Sequence, residues 1–154
     1  MGDSPKSITI LIADDDEDDC LLAQEALNKV GIPHRLDIVS NGIMLMDYLR
    51  RQGEFEHLQN QPLPGLILLD INMPKKNGLE ALREIKSDPL LRRIPIVVFT
   101  VSGIEKDVYD SYDHGASSFI TKSVTLTELA SIVEEIGKYW LEIVELPPDS
   151  IKRS

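Results

Sequence analysis

The chain has little of several features that would place it in a specialised class of protein. It contains a single cysteine, Cys20, so no disulfide can form within it, and the cytoplasm is the compartment we expect. Aromatic residues make up only 5% of its 154 residues. No apolar run approaches the roughly 18 residues of a membrane span. Positive charge is scarce, with 16 lysines and arginines against 26 acidic residues and a net charge of −10. This balance argues against nucleic-acid binding, which usually requires a basic face.

What the chain does have is the composition of an ordinary globular protein. Hydrophobic residues make up 42% of it, and its length suits one domain with a single core. Residues 1–6 are polar and lack the apolar segment of a secretory signal. We therefore expect one globular domain that is neither secreted nor attached to a membrane.

Strand-like apolar runs alternate with helix-like stretches along the chain. We predict strands at 8–13, 35–40, 66–70, 94–100 and 118–121, and helices at 17–30, 43–52, 78–87, 105–113 and from 125 to the prolines at 147 and 148. The segment 53–64, rich in Gln and Pro, is predicted to be a long loop. Five strands alternating with five helices indicate an α/β fold in which helices cover both faces of a parallel sheet.

Acidic residues follow two of the predicted strands at the point where each strand ends. Asp70 closes one apolar run, and Asp14-Asp15-Asp16 closes another. Because the carboxyl ends of parallel strands share one edge of a sheet, these carboxylates should lie close together and repel one another. A divalent cation would offset that repulsion, and hard oxygen ligands favour Mg²⁺. The sequence therefore predicts a Mg²⁺ site around Asp70.

Four motifs, in this order, make the chain resemble a response-regulator receiver domain. They are Asp14-Asp15 after the first strand, Asp70-x-x-x-Pro74-x-x-x-Gly78 after the third, Thr100 at the end of the fourth and Lys122 at the end of the fifth. The resemblance implies a flavodoxin-like, doubly wound sheet of five parallel strands in the order 2-1-3-4-5. It implies a receiver domain over 6–146 and a polar tail over 147–154. The stretches 72–78 and 139–147 are most similar to stand-alone receivers that partner bacterial phytochrome kinases.

The resemblance also assigns a chemical role to each residue of the motifs. Asp70 would be the phosphoacceptor, taking a phosphoryl group from the phosphohistidine of a sensor histidine kinase. Asp15, Asp70 and the backbone carbonyl of Asn72 would bind Mg²⁺ directly, and Asp14 would bind it through a water. Lys122 would place its ammonium group on the phosphoryl oxygens.

A conformational switch is a further implication of the resemblance. Thr100 would hydrogen-bond the phosphoryl group, and its inward movement would carry residues 101–105 while Phe119 fills the vacated space. The phosphorylated protein would then bind a downstream protein or pass the phosphoryl group to a phosphotransfer protein. We expect this signalling role and no enzymatic activity.

Three positions depart from the usual family pattern. Ser123 follows Lys122 where the family usually has proline, which predicts either a cis bond before a non-proline residue or a shifted loop. Val101 follows Thr100 where a smaller residue is usual, and its branched side chain could crowd the phosphoryl group. Phe119 lacks the hydroxyl of the family's frequent tyrosine.

Three other classes of protein compete with this interpretation. An EF-hand would use Asp14, Asp16, Asp18 and Glu25, but Asp19 stands where its loop needs glycine. A haloacid-dehalogenase phosphatase needs Asp-x-Asp, and this chain has Asp70-Ile71-Asn72. A pseudo-receiver, folded but never phosphorylated, would be a binding module, and Val101 and Ser123 favour it mildly.

Two further features leave alternatives open or lead to no site. Trp140 in the last predicted helix either forms part of a homodimer or kinase interface, or packs beneath the loop at 53–64 of its own chain. The histidines at positions 34, 57 and 114 fall in or near predicted loops and form no recognisable site.

Overall fold

Strands and helices alternate in the predicted order. A computed structural model describes residues 8–29, 34–73, 75–101 and 105–122, with positions 128, 131, 134 and 135. The elements in the continuous ranges are β1 (Ile8–Ala13), α1 (Glu17–Asn28), β2 (His34–Val39), α2 (Gly42–Arg50), a 3-10 helix (Gly53–Leu58), β3 (Leu66–Leu69), α3 (Gly78–Ser87), β4 (Ile96–Thr100), α4 (Glu105–Asp113) and β5 (Ser118–Thr121). Most of the last predicted helix, including Trp140, lies outside the described residues, as do Pro74 and the Lys122-Ser123 bond.

All five strands form one parallel sheet in the order β2-β1-β3-β4-β5, which confirms the predicted topology. β1 lies between β2 and β3, and each neighbouring pair runs parallel. Because every strand runs in the same direction, the carboxyl ends of all five meet along one edge. This edge is where the predicted acidic residues should gather.

Alternate residues of each strand point to opposite faces of the sheet, and each face has its own apolar core. One core joins Leu11, Ile67 and Ile96 to buried side chains of α2 and α3. The other joins residues next to these in sequence, such as Ile10 and Leu68, to the buried face of α1. Near-continuous apolar strands are expected when both faces of a parallel sheet are covered.

The segment 53–64 contains a helix, so the prediction of a loop over its whole length is wrong. A 3-10 helix spans Gly53–Leu58, and the side chain of Leu58 is buried. The guanidinium of Arg51 donates hydrogen bonds to the carbonyls of Tyr48 (2.8 Å) and Pro62 (2.9 Å), which ties the segment to the end of α2. Charge-assisted bonds to backbone carbonyls leave no sequence periodicity, which explains why the pattern did not predict them.

Membrane-spanning helices are absent from the ranges that the structure describes: none of their helices is both long enough and apolar enough.

Gly78 begins α3 in close contact with the segment that carries Asp70. A Cβ atom at position 78 would lie 2.5 Å from the carbonyl oxygen of Asp70 and 2.5 Å from the Cα of Ile71. Both are backbone atoms, so the methyl group of an alanine cannot be accommodated without moving the chain. The glycine of the motif is therefore required by packing beside the candidate phosphoacceptor.

We expect Gly78→Ala to lower the free energy of unfolding by about 2 kcal/mol, a typical cost of forcing an extra methyl group into a close-packed contact. Urea denaturation measures this change. Arg83→Ala, at an exposed position of the same helix, is the matched control and should change stability by less than about 0.5 kcal/mol. Equal stability of the Gly78→Ala and Arg83→Ala variants would show that the backbone at 70–71 yields without cost.

Candidate functional site

Three side chains of the candidate site follow directly after parallel strands, and backbone hydrogen bonds fix each one there. The amide of Asp14, after β1, donates to the carbonyl of Val39 at 2.9 Å. The amide of Asp70, after β3, donates to Ala13 at 2.9 Å, and that of Lys122, after β5, donates to Thr100 at 2.8 Å. The ladder of the sheet thus continues by one residue and holds these side chains at a common edge.

Three carboxylates converge at this edge in an arrangement that fits a divalent cation. One oxygen each from Asp14, Asp15 and Asp70 lie within 4.8 Å of one another. Asp14 and Asp70 are buried, whereas Asp15 is exposed. Clustered carboxylate oxygens suit hard cations such as Mg²⁺.

The ammonium group of Lys122 lies among carboxylates and uses all three of its hydrogen-bond donors. Its Nζ lies 2.8 Å from Oδ2 of Asp14, 2.7 Å from Oδ2 of Asp19 and 2.9 Å from Oδ2 of Asp70. The Lys122 side chain is only 5% exposed. Three carboxylates contact this one ammonium and a fourth, that of Asp15, lies beside Asp14 and Asp70, so the site has excess negative charge that a divalent cation would offset.

The other oxygen of Asp70 is held from a second direction. Oδ1 accepts hydrogen bonds from the backbone amide of Asn72 (2.9 Å) and from the hydroxyl of Thr100 (2.8 Å). The side-chain amide of Asn72 donates to Oγ1 of Thr100 at 3.1 Å. Both oxygens of Asp70 therefore have fixed partners, and the orientation of this carboxylate is set before any ligand arrives.

Burial and charge shift the pKa values of two groups in the site. Burial raises the pKa of the Asp14 carboxyl to about 6, and this effect outweighs the opposing hydrogen bond from Lys122. Burial alone would lower the pKa of Lys122, but hydrogen bonds from its ammonium to Asp14, Asp19 and Asp70 hold that pKa above its ordinary value. Lys122 is therefore a permanent cation at neutral pH.

The predicted switch residues lie on β4 and β5. Thr100 is fully buried and already bonded to Asp70, whereas Phe119 is half-buried and packs against the core formed with α2 and α3. Val101 is 71% exposed. The site residues at the sheet edge lie together as predicted, while Phe119 lies away from that edge and packs against the core formed with α2 and α3.

Sequence reasoning missed two contacts of the site. Asp19 lies in the first turn of α1, where the helix dipole favours acidic residues, and its amide donates to the N-cap side chain of Asp16 at 3.0 Å. Its carboxylate, however, reaches Lys122. For Asn72, only the backbone carbonyl was expected to act, yet its side chain bonds to Thr100. The position of Asp19 in the first turn of α1, five residues after Asp14, is the sequence signal that could have suggested its approach to this edge.

The proteins to which this chain is similar belong to the receiver-domain family that its motifs resemble. The family model for the response regulator receiver domain matches residues 10–134. The chain is 46% identical over 138 residues to the response regulator Rcp1 of Synechocystis, a match that covers 90% of this chain and 92% of Rcp1. The EF-hand and phosphatase alternatives are thereby excluded, and the strand before Asp14 is itself incompatible with the helix that begins an EF-hand.

Two crystal structures have similar folds and sequences. The phosphorylated cyanobacterial phytochrome response regulator RcpA is 44% identical, with a TM-score of 0.81 and coverage of 93% of this chain and all of that one. The Mn²⁺-bound form of Rcp1 is 45% identical, with a TM-score of 0.78 and coverage of 92% and 99%. Receiver domains bind a divalent metal at an acidic pocket, and Asp14, Asp15 and Asp70 could hold such an ion in this chain. The chain belongs to the response regulator receiver domain family.

Proposed function

We propose that the protein receives a phosphoryl group on Asp70 from a sensor histidine kinase and thereby changes a protein-binding surface. The observation that carries this proposal is the fixed Asp70 carboxylate, with Lys122 Nζ 2.9 Å from one oxygen and the acidic metal site beside it. A nucleophile, a cation for phosphoryl oxygens and a place for a divalent metal thus share one sheet edge.

In the proposed reaction an oxygen of Asp70 attacks the phosphorus of a phosphohistidine. The new O–P bond forms as the P–N bond breaks, and the electron pair of that bond stays on the imidazole nitrogen. Lys122 donates hydrogen bonds to the phosphoryl oxygens. Mg²⁺, when bound by Asp15, Asp70 and the Asn72 carbonyl, with Asp14 acting through a water, supplies positive charge that offsets repulsion between carboxylate and phosphoryl oxygens.

The proposed switch begins at Thr100. Its hydroxyl donates to Oδ1 of Asp70 in this structure, and phosphorylation of Asp70 would bring phosphoryl oxygens close to that hydroxyl as competing acceptors. A shift of Thr100 would move Val101, and Phe119 would take up the space that is vacated. Helix α4 contacts β5 and exposes Tyr109 and Tyr112. The surface formed by α4 and β5 would therefore change shape on phosphorylation, and a partner protein would bind the changed surface.

The setting of this activity follows from the relatives. Membership of the family supports a histidine kinase as the phosphodonor, and the phytochrome response regulators among the similar structures support a phytochrome kinase. We propose a signalling protein without enzymatic turnover of its own, located in the cytoplasm. Its receiver domain would span 6–146 and its tail 147–154. A downstream binding protein and a phosphotransfer protein remain equal candidates for the next step, and a homodimer through the C-terminal region stays a prediction.

Incubation with acetyl phosphate, followed by intact mass, tests the proposal. We expect a phosphoryl adduct that forms with Mg²⁺, fails to form when the metal is chelated, and is lost in base, as an acyl phosphate should be. A protein that remains folded yet takes up no phosphoryl group from acetyl phosphate or from a phosphorylated kinase would contradict the proposal. The pseudo-receiver, a binding module that is never phosphorylated, would then be the better interpretation.

A further inference from the structure

Within the part of the chain that the structure describes, Asp19 is the one carboxylate in contact with Lys122 that does not belong to the metal cluster. Its Oδ2 lies 2.7 Å from Nζ of Lys122, and its side chain is 26% exposed. Its backbone amide donates to the Asp16 side chain that caps α1, so Asp19 is fixed in the first turn of that helix. The contact joins α1 to the end of β5, residues 103 positions apart in the chain.

We propose that Asp19 is a positioning residue that holds the Lys122 ammonium against Asp70 during phosphoryl transfer. This inference rests on the proposed function, because it assigns to Asp19 a part in the same reaction. Asp19 itself would touch neither the phosphoryl group nor the metal.

The other two partners of Lys122 are needed elsewhere during the reaction. Asp14 and Asp70 both contribute oxygens to the metal cluster, so a bound divalent cation weakens their attraction for the ammonium. Phosphorylation then converts the Asp70 carboxylate into an acyl phosphate. The Asp19 carboxylate neither belongs to the metal cluster nor becomes phosphorylated. Its bond to Lys122 can therefore persist before and after phosphoryl transfer.

Lys122 needs such a restraint because of its chemistry. A lysine ammonium sits on a flexible four-carbon stem and is ordered only when its partners hold it. The donor that bonds to Asp70 becomes available to the phosphoryl oxygens when that carboxylate reacts, while the donor to Asp19 stays engaged. Positioning of this kind can change a rate strongly, since a displacement of about 1 Å can cost a hundredfold.

The test compares Asp19→Ala with Asp18→Ala. Asp18 is the preceding residue, exposed, in the same helical turn and of the same charge, so it controls for net charge and for the helix dipole. At saturating Mg²⁺ we expect Asp19→Ala to slow phosphorylation by acetyl phosphate about tenfold, whereas Asp18→Ala changes the rate less than twofold. Asp19→Asn, which keeps an acceptor oxygen but no charge, should fall between them.

Two further measurements separate positioning from other roles. The affinity for Mg²⁺ should stay within twofold of wild type in Asp19→Ala, because Asp19 is not a ligand. Acylation of Lys122 by acetic anhydride, followed by peptide mass spectrometry and normalised to the exposed Lys106, should increase several-fold. This second readout needs no phosphorylation.

Each result bears on one claim or the other. A phosphorylation rate that is unchanged or raised, a tenfold loss of Mg²⁺ affinity, or unchanged acylation of Lys122 in Asp19→Ala would overturn the positioning role. If wild-type protein is phosphorylated but Asp19→Ala behaves like wild type, the proposed function stands and this inference fails. The opposite outcome is that wild-type protein takes up no phosphoryl group while Lys122 is acylated faster in Asp19→Ala. The proposed function would then be wrong, and only the contact that anchors Lys122 to Asp19 would be supported.

Discussion

Replacement of Asp70 with asparagine should abolish the phosphoryl adduct and leave the fold intact. The asparagine carbonyl oxygen can still accept the hydrogen bonds that Oδ1 of Asp70 accepts from the Asn72 amide and the Thr100 hydroxyl. The amide nitrogen, however, is neither a nucleophile for phosphorus nor an acceptor for the Lys122 ammonium, which now bonds to Oδ2. The variant therefore keeps the shape of the site and loses its reactive group.

The measurement is the extent of adduct formation by intact mass under conditions that fully modify wild-type protein. We expect none in Asp70→Asn, against an unchanged extent in Asp113→Asn, which alters an exposed aspartate at the end of α4. Circular dichroism checks that both variants are folded. A persistent adduct in Asp70→Asn would show that another side chain, such as Asp14 or Asp15, is the acceptor.

The affinity for Mg²⁺ should fall about tenfold between pH 8 and pH 5. Burial raises the pKa of Asp14 to about 6, so below that pH a proton competes with the cation for this carboxylate. Affinity then drops about tenfold for each further pH unit, as expected when a carboxyl group must lose its proton for the metal to bind. Isothermal titration at constant ionic strength measures the effect.

Asp14→Asn is the control for this pH dependence. It should bind Mg²⁺ more weakly at pH 8, and its affinity should change little between pH 8 and pH 5 because the titrating group has been removed. The same pH dependence in wild type and Asp14→Asn would assign the proton to another residue.

The raised pKa of Asp14 also has a consequence for stability without metal. Because the pKa in the folded state, about 6, lies above the ordinary value of 3.8, the folded protein binds the proton more tightly than the unfolded chain does. Asp14 therefore destabilises the metal-free fold at neutral pH, and this destabilisation is relieved as the pH falls from about 6 toward 4. The buried carboxylate thus favours occupancy of the site by a cation at neutral pH.

The order of elements could be predicted from local pattern alone. The bounds of β1, α3, α4 and β5 agree with the predictions, because apolar runs and capping residues such as Asn77, whose side chain accepts from the Glu80 amide, act over a few residues. Other ends differ by a few residues. Helix α2, for example, ends at Arg50 since Arg51 adopts a left-handed conformation with φ of 56°.

The sequence pattern by itself determined that the sheet is parallel, and hence the edge at which Asp14, Asp15, Asp70, Thr100 and Lys122 meet, because parallel strands place all their carboxyl ends together. The strand order 2-1-3-4-5 was implied by the family resemblance, and the structure has that order. Only the tertiary structure decided which donor bonds to which oxygen. The contact of Asp19 with Lys122, the bond from Asn72 to Thr100 and the anchoring of residues 53–64 by Arg51 all join side chains to groups distant in the chain or on different elements. Such contacts depend on how whole helices and strands pack together, and the short-range pattern of apolar and polar residues cannot predict them.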